Sequence, residues 1–240
     1  RDRAERISNL AWRIRRDFLV NMTSVEDAIN EALAAKEGPV VLADISDNPG
    51  GGGAMEGTII LRELIDHGAS NATIAAIRDP EAVKEAIEAG IGKEVTLFVG
   101  GKTNKLAGSP IKITGYVRRI SDGRFVSART GAEIDLGRTV VLVCNGIEII
   151  LTEKRVQPTD LEYYRHVGIE PTQRKILVVK STIHYRTVHE PIAKKIIEVD
   201  APGLVSPRLA AFDFKKIRRP IFPLDPEMLG IIELKKFEDE

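Results

Sequence analysis

The residues best suited to chemistry lie in the stretch 44–58, Asp-Ile-Ser-Asp-Asn-Pro-Gly-Gly-Gly-Gly-Ala-Met-Glu-Gly-Thr. Gly50, Gly51, Gly52 and Gly53 run consecutively, and glycine loses more backbone freedom on folding than any other residue. Such a run is expected where something approaches the main chain too closely for a Cβ. Free N–H groups before a helix attract an anion or a carbonyl oxygen. Asp44 and Asp47 add acceptors for a metal, an ammonium or an amide N–H. Two nucleotide motifs fail: the glycine spacing of a phosphate loop, Gly52 to Gly57, is followed by Thr58 with no lysine. The dinucleotide fingerprint would need glycine where Met55 or Glu56 stands. The bland alternative is a flexible crossover with a capping aspartate.

A second cluster, Lys180-Ser181-Thr182-Ile183-His184-Tyr185-Arg186, directly follows the apolar run Ile-Leu-Val-Val. Its layout repeats the first: a buried strand that runs out into polar donors. If the two strands are parallel neighbours, Asp47 and Asn48 face Lys180, His184 and Arg186 across one crevice, at the edge where open α/β sheets bind ligands. His184 and His189 are five apart, which does not put them on one helix face. With four histidines, one cysteine and no H-E-x-x-H, a complete catalytic zinc site is not expected within this chain. A capping or salt-bridging role is the plain alternative for His184.

The elements that must position these residues follow from periodicity and punctuation. Residues 1–20 place Ile7, Leu10, Ala11, Ile14 and Phe18 on one helical face, with arginines opposite. A helix capped by Thr23 or Ser24 runs to about Ala35 and is stopped by Gly38 and Pro39. Residues 39–45 are a buried strand, 55–67 a helix closed by Gly68, 72–78 a strand, and 80–89 a helix capped by Asp79 and ended by Gly90. Strand and helix in alternation argue a parallel sheet. From Glu94 the apolar residues alternate instead, with hairpin-type turns at Ser121-Asp-Gly-Arg124 and Asn145-Gly146. Helices are expected over 158–168 and 191–197, and an extended tail over 212–225. The expected fold is thus α/β: a mainly parallel sheet with helices on its faces, formed by 1–93 and 156–240, plus an antiparallel β insertion over 94–155.

Lysine plus arginine equals aspartate plus glutamate at 35 each, so no net charge recruits nucleic acid or an anionic membrane. Cys144 is the one cysteine, expected as a core residue, and fits a reducing, cytoplasmic setting. No apolar run approaches the roughly 20 residues of a membrane helix. The opening Arg1, in helix-like sequence, leads us to expect a fragment. A homo-oligomer is left open.

Taken in order, Asp44-x-x-Asp47-Asn48-Pro49-Gly-Gly-Gly with Gly57-Thr58, Lys180-Ser181-x-x-His184-Tyr185-Arg186, Val199-Asp200-x-Pro202-Gly203 and Arg218-Arg219-Pro220-Ile221-x-Pro223-Leu224-Asp225 resemble the C-terminal domain of the MlrC microcystin-degradation family. Glu56 departs from it, standing where members often have aspartate. The resemblance implies a zinc-dependent peptidase or amide hydrolase, most of whose metal ligands lie in an N-terminal domain or partner chain, with little hydrolysis from this chain alone. It implies Asp47 and His184 as catalytic residues. Asn48 joins Asp47 in orienting the substrate, residues 50–53 bind a carboxylate or oxyanion, and Lys180, His184 and Arg186, with Ser181 beside them, hold acidic groups of a peptide or amide substrate. The rival reading is a non-catalytic anion- or phosphometabolite-binding module built on the 50–53 loop.

Overall fold

A computed structural model describes residues 2–225. Arg1, and 226–240 from the expected 156–240 segment, lie outside the described residues. In chain order the elements are α1 (Asp2–Arg13), β1 (Thr23–Ser24), α2 (Val25–Ala34), β2 (Val40–Asp44), α3 (Ile59–Asp66), β3 (Ala72–Arg78), α4 (Pro80–Ala89), β4 (Glu94–Val99), β5 (Ile111–Ser121), β6 (Arg124–Val126), β7 (Glu133–Asp135), β8 (Thr139–Cys144), β9 (Ile147–Thr152), α5 (Glu162–Arg165), β10 (Ile176–Val179), α6 (Arg186–His189) and β11 (Lys195–Asp200).

Nine strands form one sheet in the order β1-β11-β2-β10-β3-β9-β8-β5-β4. From β1 to β9 the neighbours are parallel. The pairs β9–β8, β8–β5 and β5–β4 are antiparallel. The 94–155 stretch therefore supplies the antiparallel strands as a continuation of the same sheet, with β6 and β7 as a separate ribbon. Two compact units emerge, one over 21–205 that holds the whole nine-stranded sheet, and one that joins 2–20 to 206–225.

Period-two alternation sends side chains to opposite faces of each strand. Val40, Leu42, Ile74, Ile176 and Val178 meet the apolar stripes of α2, α3 and α4. Val41, Ala43, Ala75, Leu177 and Val179 meet Met55, Tyr163, Tyr164 and Tyr185 on the other face. Burial on both faces explains why β2 and β10 are continuous apolar runs. Ser24 and Asp79 cap their helices, accepting from the N–H of Asp27 and Ala82. The Asn145-Gly146 turn joins β8 to β9, with φ of 51° and 79°. No helix among the described residues is long and apolar enough to cross a membrane.

Five element expectations need correction. The helix after the glycines starts at Ile59, not Met55, because Met55 adopts a left-handed φ of 61° and its N–H is drawn to Asp47. The helix expected over 158–168 shrinks to α5. Residues 191–197 are not a helix: the β-branched alternation of Ile197 and Val199 forms β11 beside β2. The Ser121–Arg124 turn does not make a hairpin, since β5 pairs with β4 and β8 while β6 pairs with β7. The opening helix stops at Arg13, and none of its residues is buried. Cys144 is buried as expected, and burial pushes its thiol up.

His189 is fully buried, with Nε2 2.8 Å from the Tyr164 hydroxyl and Nδ1 3.1 Å from the Tyr185 carbonyl. Burial pushes its imidazole down to about 4, against the weaker pull of the Tyr185 carbonyl. The folded state thus resists protonation that the unfolded chain accepts from pH 6.5 downward. The sign is a stability present above pH 6.5, lost as pH falls to about 4 and flat below, amounting to about 3 kcal/mol. Urea unfolding at pH 7 and pH 4 should show this loss in the parent, and His189→Gln should remove that component of the pH dependence.

Candidate active site at the carboxyl edge of the sheet

β2 and β10 are adjacent and parallel, with Val179 beside Ala43, so the chain leaves both strands at the same edge. Asp44 closes β2 and Lys180 follows β10. Lys180 Nζ lies 2.8 Å from Asp44 Oδ2 and 3.1 Å from Asp47 Oδ2, and donates to the Gly57 carbonyl at 3.1 Å. All three side chains are buried. Burial alone would lower the Lys180 ammonium, but the charges of Asp44 and Asp47 outweigh it and hold the group above its ordinary value. Burial raises the Asp44 carboxyl against the opposing pull of Lys180. Asp44 Oδ1 is buried without a hydrogen-bond partner.

Asp47 organises the loop. Its Oδ1 accepts from Met55 N at 2.8 Å and its Oδ2 from Gly57 N at 2.7 Å. The glycine N–H groups are used within the loop as well. Gly50 N donates to Asn48 Oδ1 at 3.0 Å, Gly51 N and Gly53 N to the Asn48 carbonyl at 3.1 and 2.8 Å, and Gly52 N to the Pro49 carbonyl at 3.3 Å. This corrects the expected anion cradle: no row of free donors faces outward from residues 50–53. Steric room accounts for glycine instead. A Cβ on Gly53 would fall 2.6 Å from the Asp47 carbonyl carbon, and one on Gly57 would fall 2.9 Å from Asp47 Oδ2.

The two predicted clusters do meet. Asn48 Nδ2 donates to Thr182 Oγ1 at 2.9 Å, and Thr182 Oγ1 donates to the Ile45 carbonyl at 3.2 Å. Ser181 Oγ accepts from Gln157 Nε2 at 2.6 Å and from Tyr185 N at 3.3 Å. His184 is exposed on the same segment. Arg186 turns away to Glu198 at 2.7 Å, an acidic partner that also receives the Tyr185 hydroxyl. Neither Lys180 nor Arg186 therefore has its charge free to hold an acidic group, as the sequence reading expected. The longer Glu56 carboxylate is buried, accepting from Lys102 N at 3.1 Å, Thr103 N at 2.9 Å and Thr103 Oγ1 at 2.5 Å. It ties the β4–β5 connection to the glycine loop. Asp79 Oδ2 adds a bond from Gly100 N at 2.9 Å.

Sequence reasoning missed Arg155, Gln157 and Thr182. Arg155 Nη1 donates to the Gly53 carbonyl at 3.3 Å. The first two follow β9, and only the parallel pairing of β9 with β3 brings that exit to this edge; no local motif marks them. Among the described residues no group of three or more histidine, cysteine or acidic side chains comes together to hold a metal. Asp47 is taken up by Met55 N, Gly57 N and Lys180, and Asp44 Oδ2 by Lys180; the one oxygen left open, Asp44 Oδ1, is too little for a metal ion, so the donor set does not fit one.

Residues 42–216 match the family described as the MlrC C-terminus. The chain is 32% identical over 198 residues to Microcystinase C of Sphingomonas sp., a match that covers 82% of this chain and 38% of that protein. A crystal structure from Mesorhizobium sp. BNC1, provisionally described as a metallopeptidase, superposes with a TM-score of 0.79 at 28% identity, over 91% of this chain and 44% of that one. The chain thus spans less than half the length of either relative. With a matched segment of this extent and a relative 32% identical over 82% of the chain, the chain belongs to the MlrC C-terminus family.

Proposed function

We propose that this chain is the substrate-facing part of a zinc-dependent peptidase or amide hydrolase, completed by an N-terminal metal-binding region or a partner chain. The observation that carries the reading is the junction of two distant segments at one sheet edge, Asp47 with Lys180 at 3.1 Å and Asn48 with Thr182 at 2.9 Å. Names borne by the relatives support hydrolysis of peptide-type bonds. Because the carboxylates at this edge leave a single oxygen open among the described residues, the metal in this reading is held mostly by that other region.

The division of labour among this chain's residues follows from their contacts. Asp47 and Lys180 are positioning residues: they fix the turn that begins at Asn48. Asn48 is buried and spends its amide on Thr182 and on Gly50 N, so it too shapes the edge. His184, exposed and beside this edge, is the group free to exchange a proton with a bound substrate or its leaving amine. The glycine loop lends shape rather than charge. The anion-binding alternative is disfavoured, since its proposed donors are already paired.

Lys180→Met strands two buried carboxylates, and breaking a buried pair costs about 3–5 kcal/mol; chemical denaturation of the chain should show a loss of that size. In a protein carrying this chain with the rest of the family's length, Asp47→Asn should lower amide turnover at least about tenfold through misplacement of the loop. Unchanged turnover with that substitution would remove Asp47 from the site. Residues 50–53 should contribute no phosphate affinity of their own: thermal stabilisation by millimolar inorganic phosphate that persists in Arg155→Ala would restore the anion-binding reading of the glycine loop.

A further inference from the structure

The loop that leaves β9 carries a run of charged residues whose pairing is uneven. Glu153 is bound by Arg138, whose Nη2 lies 2.6 Å away, and Lys154 is bound to Asp135 at 2.7 Å. Arg155 is exposed, and its one hydrogen bond is to a neutral acceptor, the Gly53 carbonyl at 3.3 Å. No carboxylate among the described residues pairs with it. A guanidinium has five N–H donors in a planar fork, and one contact leaves most of them open. The contact also fixes where the fork sits: beside the glycine loop, on the same segment as Gln157, whose Nε2 is anchored on Ser181 at 2.6 Å.

Two other basic residues at this edge are neutralised from within, Lys180 by Asp44 and Asp47, and Arg186 by Glu198. The glycine N–H groups are closed on Asn48 and Pro49. Arg155 differs in being exposed, positioned and uncompensated, and guanidinium matches a carboxylate with two parallel hydrogen bonds. We propose that Arg155 is a substrate-binding residue of this site that takes a carboxylate of the substrate, so that acidic peptides or amides are preferred over their neutral counterparts. The proposal rests on the hydrolase reading for the word substrate, but not for the binding itself.

The test titrates this chain with glutarate and, separately, with glutaramide, its uncharged isostere, following backbone amide shifts by NMR. Glutarate should bind at least about tenfold more tightly, the discrimination expected of a charge-assisted pair, with shifts centred on Gly53 and Arg155. Arg155→Ala should abolish the preference, and Arg155→Lys should keep part of it, since charge remains without the fork. Arg155→Gln, which removes the charge while retaining a donor for the Gly53 carbonyl, replaces the alanine variant if that one fails to fold. Equal binding of the two probes by the parent, or a preference that survives the loss of Arg155, overturns the proposal. No bond is broken in this assay, so its outcome is separate from whether the longer protein hydrolyses amides.

Discussion

The buried ammonium of Lys180 is the constraint from which the geometry of this edge follows. A charge taken out of water must be matched locally, and two carboxylates do so: Asp44 at the end of β2 and Asp47 three residues on. The contact also joins segments 133 or more residues apart in sequence, as the Asp47–Lys180 pair does. Asp47 spends its remaining acceptor capacity on Met55 N and Gly57 N, which bends the chain back and sets the start of α3.

Around that centre, closure replaces openness. A run of glycines before a helix ordinarily suggests exposed N–H groups awaiting an anion, yet here these groups turn inward. The alternative demand on glycine, backbone approaching backbone, is met at Gly53, where a side chain would collide with the Asp47–Asn48 peptide. A loop satisfied by its own atoms is rigid without ligand, and its functional output is the shape of the edge and the direction of Asn48. Glu56 extends the rigidity to the β4–β5 connection through Thr103. One more methylene than aspartate lets its carboxylate reach that loop while its backbone carbonyl accepts from Gly101 N at 2.9 Å.

Specificity and chemistry therefore fall to side chains that the closed loop displays rather than to the loop itself. Basic residues of these two segments have different fates: Lys154 and Arg186 are spent on surface partners, Lys180 on buried ones, and Arg155 on a single carbonyl. This sorting reflects which acidic groups each side chain can reach once the strands are paired, and charge counting along the chain does not reveal it.

The sequence by itself determined the parallel strands, the helix cap at Asp79, a cap at Thr23 or Ser24 that the structure resolves as Ser24, the Asn145-Gly146 turn and the family, because each rests on local chemistry: burial on both strand faces, a side-chain oxygen before a helix, or a left-handed turn pair. It also placed the two polar clusters at strand ends, from which their meeting follows if the strands are neighbours. Tertiary structure decided that neighbourhood, the inward closure of the glycine N–H groups and the capture of Lys180 and Arg186 by carboxylates. It also decided the strand character of β11, where apolar periodicity alone is compatible with a helix, and the arrival of Arg155 and Gln157 beside the loop. The physical reason is common to these cases: a hydrogen bond or ion pair between residues distant in sequence is set by strand order and register, and neither is encoded in the spacing of the residues that make it.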